Sequence, residues 1–142
     1  MKIKGVFFAA ILTAVLCISG NLWAYSGGSG TAGDPYQIAT KADLLELAGT
    51  TGHYSKCFIL TADVNLEGQV FATAIIAADT TDGNTTFQGI AFTGTFDGNG
   101  HKITNFTING GSNDYLGLFG LLNTGSEVKN LGLENCAVSG TS

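Results

Sequence analysis

The densest group of side chains that could bind a metal ion or transfer protons is Asp97-Gly98-Asn99-Gly100-His101. This segment places a carboxylate, an amide and an imidazole within five residues. Such a set could bind a cation or assist catalysis. However, Asn-Gly is a favoured tight-turn dipeptide, and Asp before Gly supplies hydrogen bonds to the turn backbone. A calcium loop of twelve residues starting at Asp97 would also end at Ile108 instead of a glutamate. We therefore predict that Asp97, Gly98, Asn99 and Gly100 form a structural turn.

A second polar stretch, from Asp79 to Thr86, contains two carboxylates and an amide. Asp79, Asp82 and Asn84 could hold a weakly bound surface Ca²⁺, because oxygen atoms are the ligands that calcium prefers. A solvated loop is the simpler interpretation, since the stretch offers no third carboxylate. We predict no cofactor, with weak surface calcium as the alternative.

The sequence lacks the motifs of the common hydrolases. His53 and His101 are the only histidines, neither lies in a His-Glu-x-x-His motif, and no Gly-x-Ser-x-Gly elbow occurs. We therefore predict no catalytic activity.

A carbohydrate-active enzyme, either a polysaccharide lyase or a glycosidase, is the alternative. It would need carboxylates such as Asp63, Asp97 and Glu134 to meet, or a carboxylate to meet Lys102 or Lys129 in one cleft.

The N-terminus resembles a secretory signal. Lys2 and Lys4 precede the apolar run Gly5 to Ile18, and Ala24 provides a small residue for cleavage. We predict a signal peptide over residues 1–24 and a secreted or cell-surface location. An uncleaved anchor is the alternative, although the apolar run is shorter than the roughly 20 residues that span a bilayer.

The remaining chain is strongly acidic. Residues 25–142 hold four lysines, no arginine and eleven acidic residues, a net charge of −7. This charge argues against nucleic-acid binding and, after cleavage, against membrane insertion. We assign residues 25–33 to a flexible Gly/Ser-rich leader and residues 34–142 to one repeat domain that is incomplete at its C-terminus.

An internal repeat supports a solenoid. Residues 96–108 match residues 121–133 without a gap at an offset of 25, which aligns Asn105 with Asn130. Periods of 20 to 50 residues are typical of solenoids. Ile103 and Phe106 differ in parity, so the chain must bend at Asn105 for both to face inward. Asn105 and Asn130 are therefore predicted to stack as a corner ladder.

Local patterns predict an all-β chain with one helix. Thr40 and Asp43 form a potential capping box for a helix over Lys41 to Ala48, which could cap the first strands. The predicted strands are 57–60, 64–66, 87–92, 102–108, 115–119 and 128–133. Cys57 and Cys136 are expected to be free thiols serving as small core residues, because a solenoid would hold them several coils apart.

Taken together, several short motifs resemble bacterial secreted or surface proteins with GLUG-type repeats, which are similar to the β-helical regions beside some secreted metallopeptidases. The residues that carry this resemblance are Asp34-Pro35-Tyr36, Asp43-Leu44, Asp63-Val64-Asn65-Leu66, Phe96 to His101 and the signature Gly117-Leu118-Phe119-Gly120. The resemblance implies a right-handed parallel β-helix and a role as stalk, adhesin or scaffold.

From these observations we expect a secreted or cell-surface β-solenoid protein with a structural, adhesive or glycan-contacting role. Its partners would be glycans or a host or cell-surface protein, and an open last coil could pair edge to edge with another chain. The further alternative is an accessory module of a larger exported protein, such as a metallopeptidase.

Overall fold

The computed structural model describes residues 24–81 and 86–141, so the predicted signal peptide up to residue 23 lies outside the described residues. Within these two ranges the chain forms seven strands and one α-helix. The strands are β1 (Tyr36–Ile38), β2 (Cys57–Leu60), β3 (Val64–Phe71), β4 (Thr95–Asp97), β5 (Lys102–Asn109), β6 (Glu127–Lys129) and β7 (Gly132–Ser139), and the helix α1 (Lys41–Gly49) lies between β1 and β2. A short 3-10 turn, Thr51–His53, follows the helix.

The strands form two small parallel sheets. The first has the order β1-β2-β4-β6 and the second the order β3-β5-β7. Every pairing between named strands is parallel. The chain alternates between the two sheets, because each of β2, β4 and β6 is followed by a strand of the second sheet.

The prediction of a right-handed parallel β-helix is wrong. The strands form two separate sheets that do not close, and the described residues between β3 and β4 contribute only single bridges at Ile76 and Phe92. The prediction failed because a regular period reports only that successive strands add in parallel. Two open sheets satisfy that pattern as well as a closed solenoid does. The regular structure of the described residues is therefore mostly strand, but a solenoid is not shown.

The helix α1 begins where its capping residues lie. The Thr40 side chain accepts a hydrogen bond from the Asp43 backbone N–H, and the Asp43 carboxylate accepts one from the Thr40 N–H, which completes a capping box. Leu44 and Leu47 are fully buried on the inner face of the helix. The predicted helix is therefore present, and it packs against β1 and β3.

The core lies between the two sheets. In the first sheet, Tyr36, Phe58, Phe96 and Val128 occupy one register row that points inward. Phe58 and Phe96 are at most 1% exposed. In the second sheet the inward side chains include Val64, Ile103, Phe106 and Ile108, all buried. These rows stack large apolar side chains strand upon strand, which is the main source of stability in such a fold.

The Gly/Ser-rich segment is not a free leader. Tyr25 is only 3% exposed and packs on Tyr36 with ring centroids 4.5 Å apart. Gly27 forms an antiparallel bridge with Gln37, and the Ser26 hydroxyl donates to Asp43. The expectation of a flexible leader is wrong, because composition cannot show that Tyr25 and Ser26 have partners on β1 and α1.

The strand register differs from the offset of 25 seen in the sequence. Phe96 pairs with Val128 and Ile103 pairs with Leu133, so equivalent residues lie 30 to 32 positions apart. The predicted strand over residues 128–133 is in fact the end of β6, a break and the start of β7. The predicted strands over 87–92 and 115–119 are absent from the named strands, although Phe92 and Phe119 form isolated bridges.

Candidate functional site

The outer face of the first sheet presents two rows of side chains in register. Because side chains alternate along a strand, the residues beside the inward Phe58, Phe96 and Val128 point outward. One outer row contains Cys57, Thr95 and Glu127, and the other contains Ile59, Asp97 and Lys129. The parallel pairing thus gathers on one surface polar groups that are as many as 72 residues apart in the sequence.

These rows line an open groove of about 290 Å³. Ala32 and Pro35 also line the groove, together with Asp97, Glu127 and Lys129. The Lys129 ammonium is 3.0 Å from a Glu127 carboxylate oxygen. The groove therefore offers an ammonium donor, carboxylate acceptors and the Thr95 hydroxyl over an apolar floor.

The pKa shifts of Asp97 and Lys129 favour the charged forms of these two groups. The hydrogen bond from the Asn130 amide, helped by the Asn99 N–H, holds the pKa of Asp97 below its usual range. The hydrogen bond to Glu127 and the charge of that carboxylate raise the pKa of Lys129. A general acid at neutral pH needs a raised carboxyl pKa, and a lysine base needs a lowered one. In the groove, the pKa of Asp97 is lowered and the pKa of Lys129 is raised, which is the opposite of what either catalytic role needs.

The predicted turn residues lie at one end of this surface. His101 N–H donates to the Gly98 carbonyl at 2.7 Å, and Asn99 and Gly100 both have positive φ, at 51° and 79°. The Asp97 carboxylate accepts from the Asn99 N–H at 2.8 Å. The same oxygen accepts from Asn130, so Asp97 ties its own turn to the chain between β6 and β7.

A second polar group lies on the other sheet. Asp63 accepts hydrogen bonds from the Lys102 N–H and contacts the His101 ring at 3.2 Å. The Lys102 ammonium pairs with Glu134 on β7. Asp63 and Glu134 therefore share Lys102 as a neighbour, whereas Asp97 lies on the first sheet. The structure does not join these three carboxylates in one cleft. It does bring Asp97 and Glu127 together with Lys129 in the groove of the first sheet, which is the second arrangement that the enzyme alternative requires.

The two asparagines predicted to stack belong to different rows. Asn105, with φ of 59°, lies within β5 and donates to the Asn65 side chain at 3.0 Å. The register places it opposite Asn135, which also has positive φ. Asn130 donates to Asp97. The shift of 30 between β5 and β7 is what separates Asn105 from Asn130.

The Gly117-Leu118-Phe119-Gly120 motif packs against the segment after β3. Ile75 and Ile76 N–H groups donate to the carbonyls of Gly117 and Leu118, and Gly120 N–H donates to Ile76. A Cβ on Gly120 would lie 2.2 Å from the Ala77 carbonyl oxygen, so this position requires glycine. The motif therefore closes one side of the core.

The polar stretch from Asp79 to Thr86 was the remaining candidate for a calcium site. Asp79 accepts hydrogen bonds from Thr80 and Gln88, while Asp82 and Asn84 lie outside the described residues. Within the described ranges, no three His, Cys, Asp or Glu side chains are placed to share a metal ion.

Cys57 and Cys136 are free thiols. Cys57 lines the outer groove and Cys136 is exposed on β7, so the expected role of both residues as small core residues is wrong.

Of the groove residues, sequence reasoning missed Cys57, Thr95 and Glu127. For Thr95 and Glu127 the signal is the alternation in Thr95-Phe96-Asp97 and Glu127-Val128-Lys129, in which polar residues flank an inward apolar one. Among residues 24–81 and 86–141, we find no helix with the length and apolarity needed to cross a membrane.

Two curated proteins match the chain. Halomucin of Haloquadratum walsbyi is 36% identical over 126 residues, which is 84% of this chain and 1% of that protein. A putative Gly-rich membrane protein of Evansella cellulosilytica is 32% identical over 109 residues, 77% of this chain and 12% of that protein. The chain thus spans a small part of the relatives it matches. No protein-family model matches the sequence, and no solved structure matches it.

Proposed function

We propose that this chain belongs to a cell-surface protein and uses the outer groove of its first sheet to contact glycans, without catalysing a reaction. The location is supported by the names of the two matched proteins, a halomucin and a Gly-rich membrane protein. The resemblance to GLUG-repeat surface proteins supports the same role.

The observation that carries the proposal is the composition and shape of the groove. It is open to solvent, and it presents charged donors and acceptors at register positions fixed by the sheet. Sugar hydroxyls bind to such groups by hydrogen bonds, and charged partners make the stronger ones. Asp97 and Lys129 are an acceptor and a donor at neutral pH, and the lowered pKa of Asp97 and the raised pKa of Lys129 act in the same direction.

The same charges argue against the enzyme alternative. A glycosidase acid must hold a proton near pH 7, and a lyase base must be free to take one. Asp97 and Lys129 are shifted away from both states. Binding, for which fixed charges are sufficient, therefore accounts better for the geometry.

A glycan-array screen of the full chain tests this proposal, with two lysine variants compared on the best ligand. Lys129→Met removes the groove ammonium, and Lys102→Met is the matched control on the other sheet. Both lysine side chains are 42% exposed and each pairs with one glutamate. We expect Lys129→Met to weaken binding about tenfold, the loss of one charge-assisted hydrogen bond, and Lys102→Met to leave it unchanged.

Two results would count against the proposal. If the wild-type chain binds no glycan, or if both variants lose affinity equally, the groove is not the contact surface. Release of reducing ends or unsaturated sugars from a bound polysaccharide would overturn the statement that the chain is not catalytic.

A further inference from the structure

The charged side chains that line the outer groove of the first sheet do not balance. Lys129 pairs with Glu127 at 3.0 Å, so these two charges offset each other. Asp97 instead accepts its hydrogen bonds from neutral amides, the Asn99 N–H and the Asn130 side chain. These amides hold the carboxylate in place without cancelling its charge. The three charged groups therefore leave the groove with a net charge of −1, which lies on Asp97.

Asp97 also keeps one carboxylate oxygen free. Both amides donate to Oδ1, and within the described part of the chain Oδ2 has no hydrogen-bond partner. The Gly98 N–H donates to the Lys129 carbonyl at 2.8 Å, which ties the turn after Asp97 to β6. The acceptor is thus held in position before a ligand arrives, and an acceptor that is already ordered loses little conformational entropy on binding.

A donor lies beside this acceptor. Asp97 and Lys129 pair in register on adjacent strands, which lie about 4.8 Å apart. An ammonium has three N–H donors, so Lys129 can keep its contact with Glu127 and still donate to a ligand. One ligand can therefore give a hydrogen bond to Asp97 and accept one from Lys129 while it lies over the apolar floor.

The charge of the groove discriminates between classes of sugar. A uronate or sulfated sugar would bring negative charge to a groove of net charge −1, on a surface where residues 25–142 carry −7. A neutral sugar can only give Asp97 a hydroxyl or an amide N–H. A sugar with a free amino group gives it an ammonium, which forms the stronger charge-assisted hydrogen bond and offsets the unpaired charge.

We propose that the groove selects glycans whose amino groups are free. The sugar ammonium donates to Oδ2 of Asp97, and a neighbouring sugar hydroxyl accepts from Lys129. This inference rests on the glycan binding proposed above, because it names the class of glycan that the same groove takes.

Isothermal titration calorimetry of the full chain with three oligosaccharides of equal length tests the selection. The ligands are a glucosamine oligomer, the N-acetylglucosamine oligomer with the same linkage, and a galacturonate oligomer. At about pH 5.5 Asp97 is ionised and the sugar amines carry protons. We expect the wild type to bind the glucosamine oligomer at least about tenfold more tightly than its acetylated form, and to bind galacturonate least.

Two groove variants and one control locate the selection. Asp97→Asn keeps an acceptor and removes the charge, so it should reduce affinity for the glucosamine oligomer about tenfold and change affinity for the acetylated form less than about twofold. Glu127→Gln lies outside the turn and leaves Lys129 to offset Asp97, so it should also weaken the preference for free amines. Asp63→Asn is the matched control, because it removes the same charge from an exposed carboxylate that also accepts from a backbone N–H, that of Lys102. It should leave all three affinities unchanged.

The outcomes separate this inference from the proposed function. A wild type that binds the acetylated or galacturonate oligomer as tightly as the glucosamine oligomer overturns the selection and leaves glycan binding standing. The selection is also overturned if Asp97→Asn, shown by circular dichroism to be folded, keeps the preference, or if Asp63→Asn loses it equally. Tetralysine that binds as tightly as the glucosamine oligomer would show that the groove recognises amines without regard to the sugar. Binding of none of the oligosaccharides would remove both proposals.

Discussion

Replacing Asp43 with alanine removes the acceptor at which the N-terminal segment and the start of α1 meet. One carboxylate oxygen, Oδ2, accepts hydrogen bonds from the Ser26 hydroxyl at 2.7 Å and from the Ala39 N–H at 2.9 Å. It also accepts from the N–H and the hydroxyl of Thr40, each at 2.9 Å. The residue is only 8% exposed, so water replaces these bonds poorly in the variant.

The expected cost follows from these contacts. Hydrogen bonds to charged groups contribute about 1.5–3 kcal/mol each, but four bonds to one oxygen are not additive. We expect Asp43→Ala to lower the free energy of unfolding by about 3 kcal/mol and Tm by about 10 °C. Asp43→Asn keeps an acceptor at the same place and loses only the charge, so we expect about 1 kcal/mol.

The pH dependence of the stability loss separates the contribution of the Asp43 charge from that of its hydrogen-bond geometry. Burial acts to raise the pKa of Asp43, but hydrogen bonds from Ser26, Ala39 and Thr40 outweigh it and hold the pKa below its ordinary value of 3.8. A lowered pKa in the folded state stabilises the protein above the unfolded pKa, and this stability is lost as pH falls through the folded pKa. The difference between wild type and Asp43→Asn should therefore be constant near neutrality and shrink below pH 3.8.

Urea denaturation followed by circular dichroism, repeated from neutral pH to about pH 2.5, measures both effects. Ser26→Ala in the wild-type and Asp43→Ala backgrounds completes a double-mutant cycle for the longest-range contact. The reasoning is refuted if Asp43→Ala and Asp43→Asn are equally stable, or if the cost of Asp43→Asn is unchanged at the acid end.

Three further outcomes follow from local geometry. A Cβ at Gly98 would lie 2.5 Å from the Asn130 carbonyl oxygen, so Gly98→Ala should lower the free energy of unfolding by about 2 kcal/mol. Gly33 has open space around it, so Gly33→Ala should change this free energy little. Equal unfolding free energies for the two variants would contradict the contact. Burial, with Glu46 and other acidic neighbours, raises the pKa of Tyr25, so its stabilising effect is present below its unfolded pKa of 10.0 and is lost at higher pH. A Tyr25→Phe variant should therefore lose less stability than the wild type when urea denaturation is carried from pH 8 to about pH 11, and parallel losses would refute this. Asn105 has φ of 59°, so Asn105→Ala should cost about 1 kcal/mol more than Asn105→Gly in thermal denaturation, and the reverse order would rule out strain as the cause.

The features that could be predicted from the sequence are those set by neighbouring residues. Thr40 and Asp43 are three residues apart and cap α1 through their own side chains and backbone. The Asn99-Gly100 turn depends on two residues that tolerate positive φ. Both ends of β2 and the first residue of β5 were also predicted, because each of these strands is a run of alternating or β-branched side chains.

The register between strands could not be predicted in this way. The visible repeat aligns Phe96 with Leu121, whereas the sheet pairs Phe96 with Val128. A gapless alignment counts every residue equally, but the loops between strands can lengthen without disturbing the pairing. The Glu127-Lys129 contact and the groove around it depend on this register, which explains why Glu127 was overlooked.

The sequence by itself determined the helix, its cap, the central turn and the predominance of strands, because each depends on interactions within a few residues. Only the tertiary structure decided that the strands form two open parallel sheets, that Tyr25 packs on Tyr36, and that Asp97 and Lys129 lie side by side. Each of these features brings together residues from different segments of the chain. Its stability depends on how the apolar side chains of the whole chain are buried between the two sheets.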